Sequence, residues 1–248
     1  MQTLSLQKDV IYGPVNSRRL GKSLGVNLLP TDVKVCTFDC IYCHYGGTNF
    51  GGRNITYPSK DAIIQKIEDA LKEWKDIDYL TFSGNGEPTL HPNFVEIVNK
   101  TVEIRDDVSP DVPLAILSNS STANDANIRK ALEKFDACIM KLDAGDETTF
   151  EKINRPCDIC LKNIIDGLKN LKSFILQCVM VDGKFQNVRG DALKNWVDVV
   201  SEIKPTKVQI YSTDRPVAME GVIKVEKMEL HKIAREVEKQ TGITIKVY

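Results

Sequence analysis

The sequence predicts a single α/β domain in which short parallel strands alternate with helices. From Ser59 onward, segments with apolar residues at helical spacing alternate with short runs that are almost wholly apolar, as in strands buried on both faces. The chain has 248 residues, 42% of them hydrophobic, which is enough for one large core. Repeated units of this kind close into a full or partial barrel, or form a doubly wound sheet.

The individual elements follow from these two patterns. The first helical segment follows Ser59, a typical N-cap residue, and carries Ile63, Ile67 and Leu71 at helical spacing. The predicted strands are Gly25–Leu29, Tyr79–Phe82, Leu114–Leu117, Cys138–Leu142, Ile175–Val181, Val208–Tyr211 and Ile243–Val247.

Polar residues cluster where several predicted strands end. Ser83–Glu87 follows one strand, Ser118 and Asn119 follow the next, and Asp143 and Ser212–Asp214 follow two later strands. At any single position these are equally typical of ordinary turns and helix caps. Because the carboxyl ends of parallel strands meet on one rim, their repetition favours an active site there.

Composition and charge narrow the class of protein. Lys and Arg total 33 and Asp and Glu total 34, so no global field attracts nucleic acid or membrane, although a local basic patch is compatible with this balance. No apolar run approaches the roughly 18 residues of a membrane span, and the first residues do not resemble a signal peptide. We therefore expect a cytoplasmic protein. Seven cysteines, an odd number, favour metal binding or catalysis over a disulfide framework.

Three of those cysteines lie within eight residues. Cys36, Cys40 and Cys43 are spaced C-x3-C-x2-C. Three thiolates on one loop can each bind one iron of a [4Fe–4S] cluster, which leaves the fourth iron open to a substrate. The alternatives are a zinc site completed by His44 or His91, which would depart from the usual paired layout of zinc ligands, and unrelated core thiols.

The C-x3-C-x-aromatic-C spacing, with Tyr42 as the aromatic residue, resembles the hallmark of the radical SAM superfamily. This resemblance implies a partial (β/α)6 barrel of the TIM type. It also implies an oxidoreductase or transferase that binds S-adenosyl-L-methionine (SAM) at the open iron of a [4Fe–4S] cluster. Reductive cleavage of SAM then yields a 5′-deoxyadenosyl radical, which abstracts hydrogen from the substrate. An electron donor such as flavodoxin or ferredoxin is the implied partner.

The resemblance also implies a set of SAM contacts at successive strand ends. Glycines let the backbone approach the SAM amino group, a carboxylate can accept from an ammonium or from ribose hydroxyls, and a lysine suits the SAM carboxylate. Val179 and Tyr211 are equally typical of core residues. The implied contacts are Tyr42, Gly84, Asn85, Gly86, Glu87, Ser118, Asn119, Lys141, Asp143, Val179 and Tyr211.

Further motifs resemble the radical SAM group of the wyosine-base synthases, which modify a guanosine of tRNA. They include Tyr12–Val15, Ser17–Gly21, Ser23–Asn27, Glu87–Pro92, Leu142–Gly145, Ile153–Pro156 and Asp214–Pro216. The departure is that wyosine synthases carry a second cluster on N-terminal cysteines, whereas the 35 residues before Cys36 contain none. tRNA modification is the leading hypothesis for the substrate. Arg18, Arg19, Arg155 and Arg215 could contact phosphates, or form surface ion pairs.

Other possibilities remain open at this point. Cys157 and Cys160 could join Cys138 or Cys178 around a second cluster or a zinc, act as redox thiols, or remain plain reduced thiols. The function could also be that of an activating enzyme that installs a glycyl radical on a partner protein, or of a non-catalytic zinc or iron–sulfur protein. We expect residues 1–24 to form an N-terminal extension, residues 25–215 the barrel core, and residues 216–248 a C-terminal helix and strand.

Overall fold

The computed structural model describes residues 3–48, 55–214, 217 and 219–248. Its main element is a curved sheet of eight strands with helices on its outer face. In chain order the strands are β1 (Ile11–Ser17), β2 (Gly21–Val26), β3 (Tyr79–Phe82), β4 (Leu114–Ser118), β5 (Ala137–Lys141), β6 (Ile175–Val179), β7 (Val181–Gly183), β8 (Lys207–Tyr211), β9 (Val222–Lys224) and β10 (Ile245–Val247).

The strand order in the sheet is β1-β2-β3-β4-β5-β6-β8-β10. The first two strands form an antiparallel hairpin, and every later pair is parallel. Strands β7 and β9 form a separate antiparallel pair. Within the described residues, β1 and β10 are the two edges and do not pair with each other, so the sheet curves without closing.

The helices that connect these strands are α1 (Lys60–Glu73), α2 (Phe94–Val108), α3 (Ala126–Leu132), α4 (Glu147–Ile153), α5 (Leu161–Lys169), α6 (Gly190–Ile203) and α7 (Lys227–Thr241), with a 3₁₀ turn at Pro88–Leu90. Ser59 caps α1 as expected, since its hydroxyl accepts from the backbone N–H of Ala62. The apolar stripes of the helices, such as Ile63 and Ile67, are fully buried against the sheet.

Side-chain alternation along the strands separates the core from the site. Leu80 and Phe82 of β3 point outward into the core beneath the helices, whereas Thr81 between them faces the inside of the curve. In β5, Met140 belongs to the core, and Lys141 lies on the inner face. The inner face therefore carries the polar groups, and both cavities described below open onto it.

The predicted α/β architecture with a parallel sheet is confirmed, but some strand limits differ. The strand expected at Gly25–Leu29 runs from Gly21 to Val26, because the Asn27 side chain bonds both backbone groups of Leu29 and turns the chain. The run Ile175–Val181 divides between β6 and β7. The division of the chain at residues 24/25 and 215/216 stays a prediction, although β1 and part of β2 precede residue 25.

Two further observations concern the last strand and the helices as a set. Gly242 adopts a left-handed conformation that ends α7, so the strand expected from Ile243 begins at Ile245. Among the described residues, no helix combines the length and apolar character that a membrane span requires.

Candidate active site

A cavity of about 260 Å³ opens at the carboxyl ends of the strands. We call it the first cavity. It is lined by residues from the loop between β2 and α1 and from the ends of β3 to β8: Lys34, Cys36, Phe38, Cys40, Tyr42, Cys43, His44, Tyr45, Gly84, Gly86, Glu87, Leu117, Ser118, Asn119, Ile139, Lys141, Gln177, Val179, Tyr211 and Thr213.

The three clustered cysteines all line this cavity and are half-buried. The Cys36 sulfur accepts from the backbone N–H of Phe38 at 3.4 Å, and the Cys40 sulfur accepts from Asn154 Nδ2 at 3.4 Å. Burial raises the pKa of Cys36 to about 12 and also raises that of Cys40. Such thiols would stay protonated on their own, so a bound cationic metal centre is what would make them thiolates.

The donor set fits a cluster better than a single ion. Within the described ranges, no group of three His, Cys, Asp or Glu side chains is placed to hold one metal ion. In a [4Fe–4S] cluster each thiolate binds a different iron, so the sulfurs need not converge on one point. Of the two histidines considered for zinc, His44 lines the cavity, whereas His91 has one ring nitrogen on the Pro58 carbonyl and the other on the Asn93 N–H.

The glycine-rich turn after β3 forms part of the cavity wall beside the cysteine loop. Gly84 and Gly86 have φ angles of +137° and +141°, which side chains other than glycine rarely adopt. A Cβ on Gly86 would collide with the Val35 carbonyl oxygen. That oxygen accepts from the N–H of Glu87 at 2.9 Å, and the Val35 N–H donates to Asn85 O at 2.9 Å. The turn and the cysteine loop therefore hold each other in place.

Glu87 braces the turn from within. Its carboxylate is 1% exposed and accepts four hydrogen bonds, from the Thr89 N–H and hydroxyl, the Ser118 hydroxyl and the Asn119 N–H. Burial raises the pKa of Glu87, and these hydrogen bonds oppose that shift. Three of these donors bond Oε1 and one bonds Oε2, and the expected contact of the carboxylate with the SAM ammonium stays a prediction.

A second braced carboxylate lies behind the opposite wall. Asp143 is 2% exposed and accepts from the Tyr42 hydroxyl, from Asn154 Nδ2 at 2.7 Å and from the Val179 N–H at 2.8 Å. Lys141 Nζ lies 3.7 Å from the Asp143 carboxylate and 4.2 Å from the centre of the Tyr42 ring. This network fixes Tyr42 and Lys141 at the cavity wall.

Most of the predicted SAM contacts are brought together by the fold. Two are not at the cavity surface. Asp143 lies behind Tyr42, and Asn85 is fully buried with its side chain on Gln7 and the Pro30 carbonyl, where it holds the N-terminal segment. The residue-by-residue SAM contacts stay predictions.

Sequence reasoning missed several residues of the cavity wall. Lys34 is buried and donates to the Gly46 carbonyl at 2.8 Å, and Gln177 accepts from the Tyr211 hydroxyl at 3.2 Å. A signal for Gln177 was available, since it is a polar residue inside an otherwise apolar strand. Asn154 contacts Cys40, Tyr42 and Asp143 without lining the cavity itself. It lies in the Ile153–Pro156 motif, but its position after a helix did not indicate these contacts.

The remaining cysteines lie elsewhere. Cys138 and Cys178 are buried in the outer core, and burial raises the pKa of Cys138 to about 12. Cys157 is half-buried and Cys160 is exposed. The Cys157 N–H donates to the Thr37 carbonyl at 2.9 Å, so this segment adjoins the cysteine loop. The role of these four thiols stays open.

A second cavity, of about 340 Å³, shares His44, Leu117 and Tyr211 with the first. Its other walls are Tyr12, Val15, Asn16, Ser17, Arg18, Arg19, Leu20, Ser23, Gly25, Thr81, Ser83, Ser212 and Asp214. Two of the arginines proposed for phosphate contacts, Arg18 and Arg19, therefore both line the second cavity. Arg155 lies instead 3.7 Å from Asp39, and Arg215 is outside the described residues.

With this geometry established, the family follows from a sequence match. A family model of the radical SAM superfamily matches residues 32–183, more than half of the chain. This protein belongs to the radical SAM superfamily. Members of the superfamily use a [4Fe–4S] cluster and SAM, so the cofactors implied by the cysteine spacing are confirmed.

Proteins of similar sequence are known, and this chain covers a different share of the length of each. A UPF0026 protein of Methanocaldococcus jannaschii is 34% identical over an alignment of 229 positions that covers 89% of this chain and 68% of that protein. A Brachyspira hyodysenteriae protein named GTPase Obg is 31% identical over an alignment of 249 positions that covers 98% of this chain and 35% of that protein. The chain therefore spans only about a third of the Brachyspira relative.

Solved structures share the fold at low identity. The structure of TYW1 with a lysine-pyruvate adduct bound gives a TM-score of 0.63 at 14% identity, over 88% of this chain and 74% of that one. The structure of Streptococcus suis SuiB bound to S-adenosylmethionine gives a TM-score of 0.65 at 14% identity, over 90% of this chain and 50% of that one. These similarities confirm the partial barrel of the TIM type, and at this identity they establish the fold alone.

Proposed function

We propose that Cys36, Cys40 and Cys43 hold the [4Fe–4S] cluster in the first cavity, and that this radical SAM enzyme modifies a nucleoside of tRNA. The observation that carries the cluster assignment is that all three thiols and the glycine turn line one cavity. When bound, the cluster supplies the electron that cleaves SAM and so generates the 5′-deoxyadenosyl radical.

The side chains of the first cavity suit the orientation of SAM. The backbone of Gly84 and Gly86 lines the cavity where the methionine moiety would lie, and Lys141 offers a positive charge for its carboxylate. Tyr42 and Val179 belong to an apolar cluster that offers a flat, water-poor surface for the adenine. Ser118 and Asn119 provide further hydrogen-bonding groups on the same wall.

Two observations support a nucleoside as the substrate. The motifs at Tyr12–Val15 and Ser17–Gly21 resemble those of the wyosine synthases, and both segments line the second cavity. That cavity adjoins the first through Leu117 and Tyr211, so a molecule bound there lies next to the SAM site. Its arginines offer the charge that a phosphate requires.

The cluster assignment is tested by anaerobic reconstitution followed by iron analysis and 5′-deoxyadenosine assay. We expect about four irons per chain, as one [4Fe–4S] cluster requires, and about eight would indicate a second cluster. Changing any of the three cavity cysteines to alanine should abolish 5′-deoxyadenosine formation. Cys160→Ser is the control because Cys160 is exposed and outside the cavity, and it should retain activity. Full activity in Cys36→Ala, Cys40→Ala or Cys43→Ala would contradict the assignment.

The substrate assignment is tested by adding unmodified tRNA to the reduced, reconstituted enzyme. We expect tRNA to accelerate 5′-deoxyadenosine formation, and deuterium from a labelled tRNA nucleoside to appear in the product. Stimulation by a partner protein, with none by tRNA, would contradict the proposal and favour an activating enzyme of a glycyl-radical protein.

A further inference from the structure

The second cavity contains two adjacent arginines with different surroundings. Arg18 forms an ion pair with Asp214 at 2.6 Å, and Lys224 contacts the same carboxylate at 2.7 Å. Arg19 has no carboxylate partner among the described residues. Its guanidinium lies 4.5 Å from the centre of the Tyr211 ring, on the wall shared by the two cavities. Arg19 therefore rests against an aromatic ring and carries a positive charge that no carboxylate among the described residues pairs with.

The inner wall of the same cavity carries two pairs of hydroxyl groups. Ser23 Oγ and Thr81 Oγ1 lie 2.7 Å apart, and the Tyr12 hydroxyl is bonded to Ser83 Oγ. In each pair either oxygen can be the donor. Because a hydroxyl has one hydrogen and two lone pairs, each pair still offers one free O–H and acceptor positions. Such pairs suit a ligand whose own hydroxyls both donate and accept.

A glycine shapes the wall beside these hydroxyls. The Tyr12 ring lies directly over Gly25, and a Cβ at residue 25 would collide with the ring. The antiparallel pairing of Tyr12 with Gly25 in the β1–β2 hairpin holds the ring at this place. The hairpin therefore contributes a flat aromatic surface next to the hydroxyl pairs.

We propose that the second cavity binds the substrate nucleotide, with Arg19 on its phosphate and the hydroxyl pairs on its ribose. This inference rests on the proposed function and specifies its substrate site. The volume of about 340 Å³ lies within the range of small-molecule sites, about 300–1,000 Å³. The charge of Arg19 selects an anion, and the hydroxyl pairs select a hydroxylated ligand over a plain carboxylic acid.

The test combines a change in the ligand with a change in the protein. Dissociation constants are measured by calorimetry on the reconstituted enzyme with SAM bound, for guanosine 5′-monophosphate and for guanosine. We expect the nucleotide to bind about 10- to 100-fold more tightly, as for a hydrogen bond to a charged group. In Arg19→Gln this preference should fall to about twofold, while guanosine binding changes little. Arg19→Lys keeps the charge without the planar fork, so its preference should be intermediate.

Two further variants separate the local effect from net charge. Arg18→Gln should weaken nucleotide binding less than Arg19→Gln does, because the Arg18 guanidinium already has a carboxylate partner in Asp214, which it shares with Lys224. Arg189→Gln removes the same charge from an exposed ion pair with Asp182 outside both cavities, and should leave the nucleotide preference unchanged.

Several results would overturn the proposal. The first is that the nucleotide does not bind. The second is that Arg19→Gln weakens the binding of nucleotide and nucleoside equally. The third is that pyruvate binds in an Arg19-dependent way while the nucleotide does not bind. Failure of the proposed function has a different signature. If the preference depends on Arg19 but tRNA does not stimulate 5′-deoxyadenosine formation, the nucleotide site stands and the tRNA assignment falls. If tRNA stimulates 5′-deoxyadenosine formation but the preference for the nucleotide does not depend on Arg19, the tRNA assignment stands and the nucleotide site falls.

Discussion

The two cavities share a wall but differ in how the protein uses their polar groups. Around the first cavity, Glu87 accepts four hydrogen bonds from the protein, and Asp143 accepts three. In the second cavity Arg19 lacks a carboxylate partner among the described residues, and the hydroxyl pairs keep unused capacity. The carboxylates around the first cavity already have protein partners, whereas the second cavity has polar groups that a ligand can still bond.

This difference matches the demands of the two ligands. SAM and the cluster must be held in one orientation for cleavage, so fixed walls avoid the cost of ordering them at each turnover. A substrate must be recognised and released, so its hydrogen-bonding partners must be free to exchange with water. Variants on the two sides should therefore fail in different ways.

The largest effect is expected from Glu87→Gln. An amide places an N–H₂ group where the carboxylate accepts, so at least one buried donor, such as the Asn119 N–H, loses its acceptor. We expect unfolding free energy to fall by about 2–3 kcal/mol. For a chain of this size that corresponds to a Tm lower by about 5–10 °C. Calorimetry or circular dichroism measures it.

The matched control is Glu96→Gln, which removes a carboxylate from an exposed ion pair with Lys60. Its cost should be much smaller, because exposed ion pairs contribute little to stability. If Glu87→Gln were equally mild, the four hydrogen bonds would not be the brace inferred above.

A smaller change in stability, with a specific effect on substrate binding, is expected from Gly25→Ala. The added methyl group must displace the Tyr12 ring, with an overpacking cost of about 1–3 kcal/mol. The guanosine 5′-monophosphate dissociation constant should rise several-fold, while that of SAM should not, because neither residue lines the first cavity.

Gly242→Ala provides the comparison for Gly25→Ala. It introduces an alanine at φ +71° after α7, with no neighbour within 4 Å of the new methyl group. It should reduce stability by about 1 kcal/mol without affecting either ligand. A loss of SAM binding as large as that of the nucleotide in Gly25→Ala would show that the two cavities are not independent.

The smallest effect is expected from Thr81→Val, which keeps the shape of the side chain and removes one hydroxyl of the Ser23 pair. The unfolding free energy should fall by about 1 kcal/mol, and nucleoside binding should weaken a few-fold. Thr101→Val is the control, since the buried Thr101 hydroxyl has no hydrogen-bond partner among the described residues. That change should be neutral or stabilising, and equal costs at the two positions would contradict a specific role for Thr81.

The sequence predicted the parallel strands well because they are short, apolar and bounded by turn residues. The run Tyr79–Phe82 coincides with β3. The hairpin strand Ile11–Ser17 was missed, since it contains Gly13 and Pro14 and mixes exposed and half-buried residues. Such a composition is typical of edge strands, which is where this strand lies.

The sequence indicated which residues belong to the site, but it did not indicate most of the contacts between them. The cysteine spacing and the strand-end rule placed Cys36 and Gly84 in one region, the family resemblance added Lys141, and the fold brings all three together. The roles of Glu87 and Asp143 depend on donors that come from distant segments. The partners of Asp143, for example, lie up to 101 residues away in sequence. No local pattern reveals such partners, nor that two hydroxyl pairs would face one cavity.

The ion pair between Arg18 and Asp214 links the two sides of the open barrel. Arg18 belongs to the hairpin at one edge of the sheet, and Asp214 follows β8, the second strand from the other edge. Both side chains are well exposed, at 60% and 41%, so this link contributes about 1 kcal/mol or less. Unlike a hydrogen-bonded strand pair, such an ion pair can break and re-form at little energetic cost. Under the proposed function, a nucleotide within a tRNA chain would enter from this side, so the RNA would not have to be threaded into the barrel.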